Sequence, residues 1–495
     1  MSAGKLLRRV IGGGGGALAL LTLGACSTPE PVVSQAVTVA VPAAAPKVTG
    51  VDTPAERDHK QLVGMFGGEF HAPAAEKLLD EVLAKLAAAS DVPTTPYKVT
   101  VLNSPVVNAF ALPSGRLYLT RGLLALATDT AEVAAVMAHE IAHVTARHAL
   151  ARAEIEKRSA LVSQAAAVIE DPGKSRTFQA SAQSSLASFS RQQEFEADSI
   201  GVRTIARAGY DPYAAARFLQ ALARFSALKQ SVFSKGGNRP DMTSTHPATE
   251  ERVDRATAEA RQIGAPGLGE VGRDRFLAAL QNLPFGDDPA EGFVRGRVFV
   301  HPKLGFAFTA PDDFVLENSA QAVLGIANGG QDALRLDRVH VPTDQPLEKY
   351  LASGWIDNLQ AGSVETMVID GFPVATAVAR GTEWSFRLAA IRQGSEVYRV
   401  IFATKALNDA SDARFRASIA SFRKIGADEA QAARPLRFDI ETAEPGDTVD
   451  GFAARMRVPD GGRDLFVVLN GLEPDAVARP GERYKVVVDE AVATH

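Results

Sequence analysis

Cysteine is nearly missing from these 495 residues, since Cys26 is the only one. No intrachain disulfide can form, even in an oxidising compartment. Histidine is also scarce, at nine residues, so two of them at a meaningful spacing carry weight. Neither sign of charge dominates: 53 Lys and Arg face 58 Asp and Glu, for a formal net charge of −5. That balance gives no support for nucleic-acid binding, and no nucleic-acid partner is expected. The apolar run Val10–Leu23 near the N-terminus is broken by five glycines from Gly12 to Gly16. It falls short of the roughly 20 residues a membrane span needs.

Against that sparse background stands His139-Glu140-Ile141-Ala142-His143. Histidines at i and i+4 share one helical face, one turn apart, where neutral imidazoles can hold a single zinc ion. Glu140 then projects beside the metal, placed to take a proton from water and pass it on. This is the HExxH arrangement of zinc hydrolases. The preceding stretch, 131–138, has no Gly or Pro, and Asp129 or Thr130 can cap the helix. A metzincin spacing fails, because Ala146 holds its Gly position and His148 falls one residue early. On a continuous helix His148 would also lie roughly 140° around from His143. A gluzincin takes a Glu from a later helix, and Ser190–Asp198 supplies one. Glu194 and Asp198 share a face there, with Glu196 turned away. Glu194 is the expected third ligand, and Asp198 the acceptor that holds a ligand histidine by its other ring N–H.

His139–His143 followed by SRQQEFEAD resembles the zinc metallopeptidase family that includes HtpX and the CAAX prenyl endopeptidases. The resemblance extends upstream to Asn108–Leu123 and downstream to Ser244-Thr245-His246-Pro247, with Glu251-Arg252 just beyond. It covers about residues 58–285 and is closest to the soluble periplasmic BepA-like branch. It implies one zinc per chain on His139, His143 and Glu194, with Glu140 as general base. It also implies a β-hairpin beside the cleft, whose strand at Asn108, Phe110 and Leu112 could pair with an extended substrate. His246, ahead of Pro247 at an expected helix start, is a candidate fourth ligand that displaces water and keeps the enzyme latent.

The N-terminus reads as a bacterial lipoprotein signal: Lys5, Arg8 and Arg9, an apolar stretch, then Leu23-Gly24-Ala25 before Cys26. Residues 1–25 would be removed, Cys26 lipidated, and the Pro-, Ala- and Val-rich 26–57 left as a tether. Ser27 after the Cys favours the outer membrane. The expected fold is multidomain. A mainly α-helical zincin-type metallopeptidase domain (58–285) precedes an α+β domain with a mainly antiparallel sheet (290–426). In the latter, His301 and His340 have no ligand partner at a recognisable spacing, and Leu347–Leu359 reads as a helix. Residues 434–492 resemble a LysM domain, a small βααβ module that often binds N-acetylglucosamine-containing glycans.

Together these features describe a lipid-anchored periplasmic zinc metalloendopeptidase, and the resemblance implies that it cleaves misfolded or stalled envelope proteins. Two other expectations stand beside it. One is a chaperone or assembly factor for outer-membrane proteins with a mostly latent protease. The other is a peptidoglycan hydrolase guided by the LysM-like module.

Overall fold

In the computed structural model, residues 53–489 are described apart from 94, 168–171, 233–245, 355, 361 and 459–461, as are all side chains in that range except those within 158–189 and 230–232. Cys26, the leader and nearly all of the tether lie outside the described residues. Thr53 opens helix α1 (Pro54–Met65) with a capping box to Glu56, so helix begins inside the stretch read as tether. Helix α2 (Pro73–Ala89) buries Leu78, Leu79, Val82, Leu83 and Leu86, a stripe at helical spacing. Strands β1 (Lys98–Leu102), β2 (Ala109–Ala111) and β3 (Arg116–Thr120) form a sheet in the order β1-β3-β2. Six further helices follow in chain order: α3 (Arg121–Leu126), α4 (Thr130–Thr145), α5 (His148–Ala167), α6 (Pro172–Arg207), α7 (Ala214–Val232) and α8 (Glu250–Ile263). Helix α9 (Arg273–Leu280) closes this region. Among the described residues no helix is long and apolar enough to cross a membrane.

After the two-residue strand β4 (Pro284–Phe285) the chain changes to sheet. Strands β5 (Phe293–Arg295), β6 (Val298–His301) and β7 (Phe306–Thr309) build a small antiparallel sheet. Beside it, seven strands between Val315 and Thr404 pair antiparallel throughout. Phe306, Phe308, Phe402, Phe415 and Phe422 fill the core between these layers. The helix expected over Leu347–Leu359 stops at Leu351. Gly354 (φ 88°) and Asn358 (φ 60°) adopt left-handed backbone, which ends a helix.

The last described residues form a βααβ module: a strand at Leu436–Thr442, helices at Val449–Arg455 and Gly462–Leu469, and a strand at Arg483–Asp489. Its two strands pair antiparallel, and β4 adds to the first of them. The module shares one continuous apolar core with the helical region, Phe438, Phe452, Phe466 and Tyr484 joining Leu78, Leu123 and Val133. The sheet-rich region between them has its own core. Among the polar contacts between the module and the helical region, Lys485, fully buried on the last strand, donates 2.7 Å hydrogen bonds to the carbonyls of Ala125 and Ala127. These carbonyls lie just ahead of α4. Burial pushes the Lys485 pKa well down, and the paired carbonyls satisfy the ammonium where no water reaches it.

Candidate metal centre

Helix α4 runs through the middle of the helical core, with every residue from Thr130 to Ala142 buried. Asp129 caps it by accepting from the Glu132 N–H at 2.8 Å. Packed against it is α6, where Gly201 removes the side chain that would intervene. A Cβ at Gly201 would sit 3.4 Å from the His139 backbone nitrogen. That approach brings Glu194 and Asp198 of α6 up to the two histidines of α4. The fourth participant, His246, lies on the turn before α8, four residues ahead of its first residue. Thr249 caps that helix, so Pro247 stands before the helix and not at its first position.

His139, His143, Glu194 and His246 each offer one ligand atom within 4.8 Å of all the others. His139 Nε2 is 3.0 Å from His143 Nε2 and 3.3 Å from His246 Nδ1. Both His139 and His143 Nε2 lie 3.5 Å from a Glu194 oxygen. His246 Nδ1 is 2.9 Å from Glu194 Oε2. Beside this group Glu140 is buried, and its Oε1 has no hydrogen-bond partner among the described residues. His246 Nε2 approaches that oxygen at 3.9 Å.

The far sides of the rings are also occupied. His139 Nδ1 lies 3.0 Å from Asp198 Oδ1, as a carboxylate orienting a ligand imidazole would. His143 Nδ1 faces His148 Nδ1 at 2.9 Å, and His148 Nε2 lies 3.4 Å from Glu196. On a continuous helix His148 would lie apart from His143. Instead α4 ends at Thr145 and Arg147 turns the chain at φ 55°, so His148 opens a new helix and folds back onto His143. It remains outside the four-residue cluster.

Arg252 is the participant that residue types alone did not reveal. It is 3 % exposed and holds both Asp198 oxygens at 2.7 Å. Its Nη1 lies 3.1 Å from Glu194 Oε2 and donates to the Pro247 carbonyl at 3.1 Å. One guanidinium thus ties α8 and the His246 turn to α6. The usable signal was its place six residues after His246, on the first turn of the helix that follows. Arg252→Met is expected to strand two buried carboxylates, costing about 3–5 kcal/mol of stability. It should also weaken metal affinity about 10–100-fold. Thermal unfolding and metal titration of the purified variant measure both effects.

Electrostatics follow from this crowding. Burial works against charge on His139, but the Asp198 and Glu194 carboxylates outweigh it and hold its pKa up at about 10. Burial, then the neighbouring His139 and His246, drive His143 well down. Burial would raise Glu194, yet its hydrogen bonds to His139 and His246 carry it far below the usual carboxylate range. Glu140 goes the other way, pushed up by burial.

The expected substrate strand is at the sheet edge, since among the described residues β2 has only β3 as neighbour. Its register corrects which residues offer that edge. Leu112 N–H donates to Arg116 and Asn108 O accepts from Thr120, and Phe110 pairs with Tyr118. Antiparallel pairing alternates, so the backbone groups of Asn108, Phe110 and Leu112 face inward to β3, and those of Ala109 and Ala111 point to the open edge.

A helix pair presenting two histidines and a glutamate around one point, with a buried carboxyl alongside, defines the metallopeptidase class. Residues 73–260 match the model of peptidase family M48. Curated relatives include the beta-barrel assembly-enhancing protease of Escherichia coli (strain K12), 30% identical over 225 residues. Its counterpart in Yersinia pestis is 33% identical over 223 residues; each match covers 43% of this chain and 44% of the relative. The mitochondrial metalloendopeptidase OMA1 of Arabidopsis thaliana is 34% identical over 166 residues, covering 34% of this chain and 32% of the relative. The chain thus matches under half the length of these relatives.

Proposed function

We propose that the chain is a zinc metalloendopeptidase of the bacterial periplasm, acting on misfolded or stalled envelope proteins. The observation that carries this is the convergence of His139, His143, Glu194 and His246 on one point beside Glu140. The donor set fits zinc. Ligand atoms about 2.0–2.1 Å from a tetrahedral ion lie roughly 3.3 Å from one another; five contacts within the cluster run from 2.9 to 3.5 Å, and all four ligand atoms lie within 4.8 Å of one another.

His139, His143 and Glu194 would hold the zinc, which would supply Lewis-acid chemistry toward a peptide carbonyl and water. Glu140 Oε1 takes the water's proton and returns it to the leaving amine. Asp198, steadied by Arg252, keeps His139 in the tautomer whose Nε2 faces the ligand point. Ala109 and Ala111 offer main-chain groups on which an extended substrate can pair without regard to its sequence. The relatives' names, beta-barrel assembly-enhancing protease above all, support protein substrates in the envelope. Casein cleavage by the purified chain, abolished by a chelator and restored by zinc, tests this reading. Muropeptide release from purified sacculi without casein cleavage would replace it with the wall-hydrolase reading.

A second reading, an assembly factor with a mostly latent protease, draws on His246. Its Nδ1 lies among the ligand atoms, 3.3 Å from His139 Nε2, where it can take the coordination position that water needs. His246→Ala is expected to keep its zinc and to cleave casein faster than the parent chain. Unchanged cleavage, with unchanged zinc content and stability, would assign His246 to structure alone.

Anchoring through a lipid on Cys26, to the outer membrane, completes the proposal. Labelled palmitate should enter the parent protein and not Cys26→Ser; equal labelling of both would remove the anchor. The C-terminal module keeps its LysM-like reading on the βααβ order of its elements. Its shared core with the peptidase helices makes it a fixed part of the enzyme, and glycan contact falls to its outer surface.

A further inference from the structure

The sheet-rich region holds a cavity that the peptidase chemistry does not use. It has a volume of about 320 Å³ and opens between the small sheet and one end of the seven-stranded sheet. That size sits at the low end of small-molecule sites, which run from ≈ 300 Å³ upward. Its floor is a run of touching rings. Phe306 lies 4.6 Å from Tyr398 and 5.7 Å from His301, and Phe299 lies 5.8 Å from Phe306, centre to centre. Val323 and Leu336 complete the apolar wall.

Polar groups converge at the mouth. His301 is buried, and its Nδ1 accepts from the Leu304 N–H at 3.3 Å, which places the ring proton on Nε2. Its Nε2 has no hydrogen-bond partner among the described residues. Lys303 and Arg338 line the opening, and both act electrostatically on His301, helping burial to hold its pKa at about 4. His301 therefore stays a neutral donor at ordinary pH. Arg338 also has Glu396 at 3.6 Å, and Glu291, half-buried, stands on the same rim. Asp337, also on the lining, is held by Arg335 and Arg399. With Glu396 beside Arg338, Lys303 is the lining cation left without an ion pair among the described residues, which suits one carboxylate and not a polyanion.

We infer that this cavity binds a small monocarboxylate with an apolar body: the body on the Phe299–Phe306–Tyr398 floor, the carboxylate at Lys303, Arg338 and His301 Nε2. A free aliphatic acid and the C-terminal residue of a polypeptide share that chemistry. Neither would depend on the metal centre, so the inference stands apart from the peptidase reading.

Calorimetric titration of the full chain tests it with four probes. These are octanoate, its neutral twin octan-1-ol, N-acetyl-leucyl-phenylalanine, and the C-terminal amide of that peptide. An acid should bind at least about tenfold more tightly than its neutral twin, an advantage of roughly 1.4 kcal/mol. Binding of octanoate alone identifies a free acid as the ligand, of the peptide acid alone a chain terminus, and of both the shared carboxylate chemistry. The pair Lys303→Gln and Arg338→Gln should erase the preference for the acid. Gln321→Trp, an exposed lining residue on the mouth, should close the cavity while leaving zinc content and casein cleavage as they were. Equal binding of acids and neutral twins, no binding of either acid at millimolar concentration, or undiminished binding to Gln321→Trp would overturn the assignment.

Discussion

Glu140→Gln protein is expected to carry as much zinc as the parent chain and to cleave casein about 10²–10⁴-fold more slowly. The amide matches the carboxylate in shape but cannot accept the proton that the reaction must move. Glu140 is not among the four residues that converge as ligands, so metal binding has no reason to fall. Stability should hold or rise. Burial lifts the Glu140 pKa, so its ionised form costs the folded state at neutral pH, and a neutral amide removes that cost. Metal analysis, thermal unfolding and a casein assay on one preparation give all three readouts. A Glu140→Gln protein that still cleaved casein at the parent rate would take the general base away from this residue.

Removing residues 434–495 is expected to leave no folded, zinc-binding peptidase at all. The truncation takes Phe438, Phe452, Phe466, Tyr484 and Val486 out of the core they share with α2, α3 and α4. It also takes away Lys485, which donates to the carbonyls of Ala125 and Ala127 at the approach to α4. A milder version isolates the packing term. Phe452 and Phe466 stack 5.6 Å apart, centre to centre, and Phe466→Ala should cost about 3–5 kcal/mol. Limited proteolysis and thermal unfolding of the whole chain report the loss. A soluble truncated chain with stoichiometric zinc and full cleavage would show that the module rides on the peptidase without supporting it.

Much of the metal centre was legible because helical spacing converts sequence distance into direction. His139 and His143 had to share a face, and Glu194 and Asp198 had to share another. What spacing could not supply was anything set by a break in the helix or by a long-range contact. His148 appeared to be turned away only while α4 was assumed to continue; the left-handed Arg147 redirects it. Arg252 reaches Asp198 across 54 positions of sequence, and nothing local marks it as buried. The strand at Ala109–Ala111 was recognisable as strand, but which of its residues face the edge depends on register, and a one-residue shift reverses the answer.

The rest of the fold divides along the same line. Alternation marked the strands of the sheet-rich region, but their order requires pairings between segments far apart, such as Asp332–His340 with Glu396–Thr404. The βααβ order at the C-terminus was expected from its resemblance to a LysM domain. That its inner face would merge with the peptidase core was not, since an apolar face looks the same whether it folds on itself or on a neighbour. Lys485 would ordinarily be read as a solvated strand residue, yet two backbone carbonyls bury it.

Metal content of the purified chain, compared with that of Glu194→Ala, bears most directly on the centre built by α4, α6 and the His246 turn. The parent should hold one zinc per chain, and Glu194→Ala should lose it while remaining folded. A Glu194→Ala protein that retained stoichiometric zinc would contradict the ligand set and the mechanism built on it.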